Sequence, residues 1–249
     1  MMDVRRLLDG VLGSGVAAGL EKEARRRLGG SVPSSGGKSG GGFGGGMLGG
    51  AAAGGLMSMV LGSKKGRKMG GKALKYGGAA LLAGLAWKAW SDWKGGKAAQ
   101  GTPLADVVQA PPAHSGFAPD EETDGRGEDF RLALVRAMIA AAKCDGHIDA
   151  EEHGRITAAI SDQSLTAEEK GFLLDAFTTD ADPMAIARLA RTQEQGAELY
   201  AASRLAIDPD VPAEHQYLSR LSAALGLPPA LVEHLDAKIE SARAEAGAE

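Results

Sequence analysis

The sequence predicts an all-α protein: a Gly-rich, membrane-associated helical N-terminal region followed by a helical bundle of about seven helices. Three observations carry this. From Asp129 onward apolar residues recur at helical spacing, with helix-start signals among them. No run shows the period-two alternation of a half-buried strand. Charge is partitioned: residues 1–100 carry 16 Lys and Arg against 5 Asp and Glu, and residues 101–249 carry 12 against 27. The net charge of −4 therefore conceals a basic half joined to an acidic one, the pattern of a membrane-facing region attached to a soluble domain.

The first element expected is an amphipathic helix over 1–28. Val4, Leu7, Leu8, Val11, Leu12, Val16 and Leu20 fall on one helical face, and Arg5, Arg6, Lys22, Arg25, Arg26 and Arg27 supply charge. Such a helix lies on an anionic bilayer or packs on a partner, and Gly10, Gly13, Gly15 and Gly19 weaken it in either case. The N-terminus meets charges and glycines before an apolar h-region forms, so no cleaved secretory signal is expected. Residues 29–42 are a Gly/Ser linker.

Residues 43–94 are expected to form a Gly-rich apolar membrane-associated hairpin or anchor. Gly42, Gly46, Gly50 and Gly54 recur every fourth residue, and Ser58, Gly62, Gly66 and Gly70 continue the row. On a helix this makes a groove for another backbone, a route to self-association, while a glycine linker is the plainer alternative. The stretch between Lys38 and Lys64 carries no charge, and Lys64, Lys65, Arg67 and Lys68 then form a dense basic block. A second apolar stretch, Ala73 to Trp90, is flanked by Tyr76 on one side and Trp87, Trp90 and Trp93 on the other. Aromatics so placed suit a membrane interface, with either a surface-lying hairpin or a single span at about 73–93 and the basic segment 64–75 cytoplasmic. A buried core helix is the competing reading of this short uncharged run.

Residues 95–127, with Pro103, Pro111, Pro112, Pro119 and the acidic run Asp120, Glu121, Glu122, have linker composition. Residues 128–249 form the helical domain. Phe130, Leu134, Val135, Met138, Ile139 and Ala142 give its first buried face. Asp149 with Glu152, and Thr166 with Glu169, mark capping boxes for the second and third helices. Asp182-Pro183 starts the fourth. Glu194 to Ala206 is the fifth, Pro212 to Leu225 closed by Gly226 the sixth, and Pro228 to about Ala246 the seventh.

Two acidic corners are the candidate sites. Asp145, Asp149 and Glu152 surround one helix junction, and Asp208, Asp210 and Glu214 another. Oxygen donors at a junction suit a hard cation such as Ca²⁺ or Mg²⁺, although the spacing is not that of a twelve-residue EF-hand loop. Helix capping explains the same residues without metal: Gly146 closes the first helix in a left-handed turn, Asp149 and Glu152 cap the next, and Asp210 favours the start of the sixth. The single cysteine, Cys144, excludes an intrachain disulfide and is expected to be a packing residue.

The stretches Leu61 to Gly78 (LGSKKGRKMGGKALKYGG) and Met138 to Glu152 (MIAAAKCDGHIDAEE) resemble the bacterial DUF533 family of YebE-type inner-membrane proteins. The C-terminal part is similar to the tellurite-resistance TerB-like helical fold. The resemblance implies a bacterial inner-membrane protein, integral or peripheral, without an assigned activity. It also implies paired acidic clusters proposed to bind metal, which fall on Asp145, Asp149 and Glu152, then on Asp208, Asp210 and Glu214. Pro209 stands where the first corner has Gly146, so the two corners are not equivalent.

No catalytic constellation is present, so no enzymatic activity is expected. Gly36-Gly37-Lys38-Ser39 lacks the strand and spaced glycine of a phosphate-binding loop. The basic residues interleave with glycines and apolar runs instead of lining one soluble face, which argues against nucleic acid. Two functions remain. One is a membrane-associated scaffold or stress-response adaptor, with lipid bound through residues 1–94 and a protein partner through 128–249. The other is a divalent-cation sensor of the tellurite or metal-stress type built on the acidic corners.

Overall fold

In a computed structural model of the chain, the described residues are 78–107, 111–118, 122–146 and 166–247. They form eight helices. These are α1 (Gly78–Lys94), α2 (Leu104–Val107), α3 (Phe130–Ala142), α4 (Ala167–Thr178), α5 (Pro183–Ala187), α6 (Gln193–Ala206), α7 (Pro212–Ala224) and α8 (Pro229–Gly247). The described residues contain no strand, only an isolated bridge between Thr123 and Asp129. The all-α expectation holds, and α3 to α8 lie where the pattern of caps and apolar residues puts them.

The local signals act as expected at two starts. Thr166 accepts a hydrogen bond from the Glu169 N–H while the Glu169 carboxylate accepts one from the Thr166 N–H, a reciprocal cap for α4. Asp182 accepts from the Met184 N–H ahead of Pro183. The expected closure of α3 by Gly146 is shifted: the helix ends at Ala142 with Lys143 as its C-cap, and Gly146, at φ +79°, ends the turn that follows, in the left-handed conformation that glycine adopts without a Cβ penalty. The second capping box, Asp149 with Glu152, lies outside the described residues.

Helix α6 is the axis of the bundle. It packs against α1, α3, α5, α7 and α8, and residues 195–204 are all buried. Gly196, Ala197, Ala201 and Ala202 give it a slim profile, so that neighbours approach on every side. Phe130, Leu134, Ile139, Leu173, Leu189, Leu199, Leu221, Leu231 and Leu235 fill the surrounding core.

Two expectations for the upstream half are corrected. Residues 78–94 do not form an anchor separate from the bundle: α1 packs against α8 and α6, with Leu82, Leu85, Ala86, Ala89 and Trp90 buried in the common core. Lys88 and Asp92 fall in its second half, and each would cost about 2.5–3.5 kcal/mol at the centre of a bilayer. Residues 73–77 of the expected span at about 73–93 lie outside the described residues, and among the described residues no helix is long and apolar enough to cross a membrane. The tryptophans expected at a membrane interface lie in the bundle instead. Trp87 and Trp90 meet Phe117 edge-on at centroid distances of 5.7 and 5.9 Å, and Trp93 packs against Trp90 at 5.3 Å. Their apolar faces thus have protein partners. Tyr76, Lys64, Lys65, Arg67 and Lys68 lie outside the described residues, as do the helix over 1–28, the linker over 29–42 and the glycine row.

The expected linker is also fastened to the bundle wherever it is described. Lys238 donates to the Gln100 carbonyl and the Thr102 hydroxyl, and Ser241 donates to the Thr102 carbonyl. Both ring nitrogens of His234 contact carbonyls, Nδ1 that of Ala230 at 2.7 Å and Nε2 that of Lys97 at 3.0 Å. The bundle thus begins at Gly78 in the described structure, well upstream of residue 128.

Candidate functional site

The first acidic corner follows α3. Lys143, two positions before Asp145, donates to the carbonyls of Phe177 and Thr179 and so caps the C-terminal end of α4. Asp145 is exposed, while Asp149 and Glu152 lie outside the described residues. At the second corner, Asp208 is not an open ligand: its carboxylate pairs with Arg243 at 2.9 Å and lies 4.0 Å from Arg204. Glu214 turns back toward its own helix start and accepts a hydrogen bond from the Asp210 N–H at 3.1 Å. Asp210 stands just before Val211, the N-cap of α7, which makes no side-chain capping bond.

The corners nevertheless meet electrostatically. Burial pushes the Glu214 carboxyl up, and the charges of Asp210 and Asp145 add to that shift. Burial likewise pushes the Cys144 thiol up to about 11, with Glu214 and Asp145 contributing. A thiol held protonated in this way is the opposite of an activated nucleophile. Among the described residues, no group of three or more His, Cys, Asp or Glu side chains could hold a metal ion. Asp208 is engaged by guanidinium groups, and Asp145, Asp210 and Glu214 do not complete a coordination set by themselves.

Beyond the corners, α6 carries polar groups that its sequence does not mark. Arg204, 4% exposed, is ringed by the Asp236 carboxylate at 3.4 Å, the Glu240 carboxylate at 3.3 Å and the Ile207 carbonyl at 3.1 Å. Tyr200 donates to Asp236 at 3.1 Å. Arg243 donates to the carbonyls of Arg204, Leu205 and Ile207 and closes the C-terminal end of α6. Near the other end, Gln195 donates to Glu122 and to the Thr123 carbonyl, tying the 122–129 loop to the helix. One turn on, Glu198 is fully buried, and neither carboxyl oxygen has a hydrogen-bond partner among the described residues.

With the geometry in place, comparison with known proteins identifies the lineage. The family model described as "Protein of unknown function (DUF533)" matches residues 46–239. The chain belongs to the DUF533 family. The match begins in the glycine row and ends in α8, so it joins the upstream segment and the bundle in one family unit. An "Uncharacterized protein in ampR 5'region" of Yersinia enterocolitica is 33% identical over 95 residues, which are 38% of this chain and 68% of that protein. No solved structure matches.

Sequence reasoning for this DUF533 chain reached the acidic corners but missed the polar groups of α6. A helix reading Gln-Glu-Gln-Gly-Ala-Glu-Leu-Tyr looks like a surface helix from its charges. The available signal was its run of small residues, Gly196, Ala197, Ala201 and Ala202, which suits a helix crowded on all sides.

Proposed function

We propose that this DUF533 protein is a non-enzymatic, membrane-peripheral adaptor of the bacterial inner membrane. Its basic upstream region meets anionic lipid, and its acidic helical domain engages a protein partner. The observation that carries the reading is the docking of α1 in the acidic bundle. Lys75, the last residue of the basic segment, stands only three positions before Gly78, where α1 begins. A bundle that includes α1 has no long tether between itself and the basic residues, so lipid capture by Lys64, Lys65, Arg67 and Lys68 would hold it close to the surface. Basic residues near an anionic membrane contribute about 1 kcal/mol each, enough in combination for reversible peripheral binding.

Co-sedimentation of the full chain with vesicles tests this. Binding to vesicles containing phosphatidylglycerol, loss of binding in high salt, and loss on changing Lys64, Lys65, Arg67 and Lys68 to Ala are expected. Equal recovery with purely zwitterionic vesicles, or no recovery with either, overturns the reading.

A second reading, a divalent-cation sensor of the metal-stress type, is favoured by one observation: Glu214 feels the charges of Asp210 and of Asp145, which come from both corners. It requires donors beyond the described residues, from Asp149 and Glu152. Calorimetric titration of the full chain with Ca²⁺, Mg²⁺, Mn²⁺ and Zn²⁺ decides it. Heat that disappears in Asp145→Asn and Glu214→Gln supports the sensor, and absence of heat overturns it.

A further inference from the structure

The buried carboxyl of Glu198 has no structural task among the contacts that hold the bundle together. It sits at the middle of the most buried helix, and both oxygens lack a partner among the described residues. A buried polar group without a partner destabilises the state that buries it, and a buried unpaired charge does so far more.

Among the described residues no cation pairs with Glu198. Gln195, one turn earlier, has two amide N–H groups, and both are taken, by Glu122 at 2.8 Å and by the Thr123 carbonyl at 3.1 Å. On α1, Lys88 and Asp92 face each other, and Lys94 lies over Trp90 and Trp93. Arg131 and Arg136 of α3 pair with Asp129 and Glu128. On α8, Asp236, Glu240 and Arg243 face the far end of α6, Lys238 meets Asp92, His234 contacts carbonyls, and Glu233 is exposed. Glu214 of α7 is turned to Asp210, Tyr217 is buried and uncharged near neutral pH, His215 and Arg220 are exposed, and α5 carries no titratable residue. Burial, and with it the like charge of Glu122, holds the Glu198 carboxyl neutral well above the usual range.

Glu122 is not part of the helical frame. It begins a loop fastened to the rest by the Gln195 amide, the Gly125 N–H to the Leu189 carbonyl at 2.9 Å, Arg191 to the Thr123 hydroxyl at 2.7 Å and the exposed Arg136–Glu128 ion pair, with Gly125 packed against the Arg188 backbone. The loop then enters α3 through the Phe130 N–H, which donates to the Glu122 carbonyl at 3.1 Å.

We propose that Glu198 is a proton-operated latch: its neutral carboxyl lets the 122–129 loop close over α6, and its ionisation drives Glu122 and the loop away, admitting water to the buried end of α6. The opening moves the loop that leads into α3 while the α1–α8 contacts stay in place. No group other than a proton is required.

Hydrogen–deuterium exchange of the full chain from pH 6 to pH 10, corrected for intrinsic exchange, tests the latch at the amides of Gly125, Glu128 and Phe130. In the wild type, protection there falls by about tenfold per pH unit once Glu198 ionises, because each unit shifts the proton equilibrium by that factor. Glu198→Gln abolishes the fall. Glu122→Gln removes the repulsion and moves it to higher pH. If Glu198→Gln does not fold, Glu122→Gln alone decides. An unchanged onset in Glu122→Gln, a pH-independent wild type, or a parallel fall at the Lys97 and Leu227 amides, which signals global unfolding, overturns the latch.

Discussion

Lys238 of α8 and Asp92 at the end of α1 form a 2.8 Å ion pair in which both side chains are buried. The pair joins the helix that follows the basic segment to the C-terminal helix. Burial works to raise the Asp92 carboxyl, but hydrogen bonds from Lys238 and Lys97 and the charges of Lys238 and Lys88 hold it down at about 2.

Removing Asp92 leaves the Lys238 charge buried without a counter-charge, whereas removing Lys238 leaves Asp92 with Lys97 and Lys88. Asp92→Asn is expected to destabilise the protein by about 3–5 kcal/mol in urea unfolding and Lys238→Met by less, while the double change Asp92→Asn with Lys238→Met recovers part of the summed loss. An additive double mutant would show that the pair is not coupled.

The same pair sets an acid limb. The folded state holds the Asp92 carboxyl at about 2, below its unfolded value of about 3.9, so the unfolded chain binds the proton more tightly. The contribution is complete above about pH 5 and disappears as pH falls toward 2. Asp92→Asn is therefore expected to flatten the thermal midpoint against pH between about 5 and 2. A slope equal to that of the wild type would assign the acid limb to other carboxylates.

A Cβ placed on Gly84 would lie 2.0 Å from the Val107 carbonyl oxygen, so α1 and the end of α2 touch backbone to backbone. In an open helix interior, Gly→Ala stabilises by about 0.8–1 kcal/mol. Here the obstructing atom is backbone and cannot rotate away, so Gly84→Ala is expected to cost about 1–3 kcal/mol by forcing α2 outward. Chemical denaturation of the full chain checks the sign, and a stabilised variant would refute the close approach.

The helices of the C-terminal part were legible because their signals are local. Thr166 with Glu169 and Asp182 with Pro183 need only neighbouring residues to do their work. The role of α1 was not, because a run of Ala, Leu and Trp suits a lipid environment and a protein core equally well. Only Lys88 and Asp92 distinguish the two, and the partner of Asp92 is Lys238, far along the chain. Asp208 looked like a metal ligand for the same reason: Arg243 reaches it only once α8 has docked. Glu198 sits in a helix whose charges suggest a surface, and its burial follows from the packing of five neighbours around α6.

Arg243 supplies N–H donors to three carbonyls at the end of α6 and also pairs with Asp208. The two contacts differ in weight. The carbonyl contacts are partly buried, so Arg243→Met is expected to cost about 1–3 kcal/mol by leaving carbonyls unsatisfied. The Asp208 side chain is 59% exposed, so Asp208→Asn should cost less than about 1 kcal/mol. Equal losses in unfolding experiments would mean that the ion pair, and not the helix cap, is the stabilising contact.

Cys144 reports on the convergence of the two corners. Burial, then the charges of Glu214 and Asp145, pushes its thiol up to about 11. Relative to an ordinary thiol, this lowers the thiolate population near neutral pH by roughly a hundredfold or more, and the thiolate is the reactive form. Alkylation of the folded protein by iodoacetamide at pH 8 is therefore expected to be slow compared with the urea-unfolded chain. Glu214→Gln and Asp145→Asn should each accelerate it without unfolding the bundle, because each removes a negative charge that opposes ionisation. Asp208→Asn serves as the control, since the Asp208 carboxylate is turned to Arg243 and has no part in the Cys144 shift. If all three variants react at the wild-type rate, burial alone protects the thiol and the corners do not act on a common point. If only the first two accelerate, Asp145 and Glu214 share one electrostatic site despite their separation along the chain.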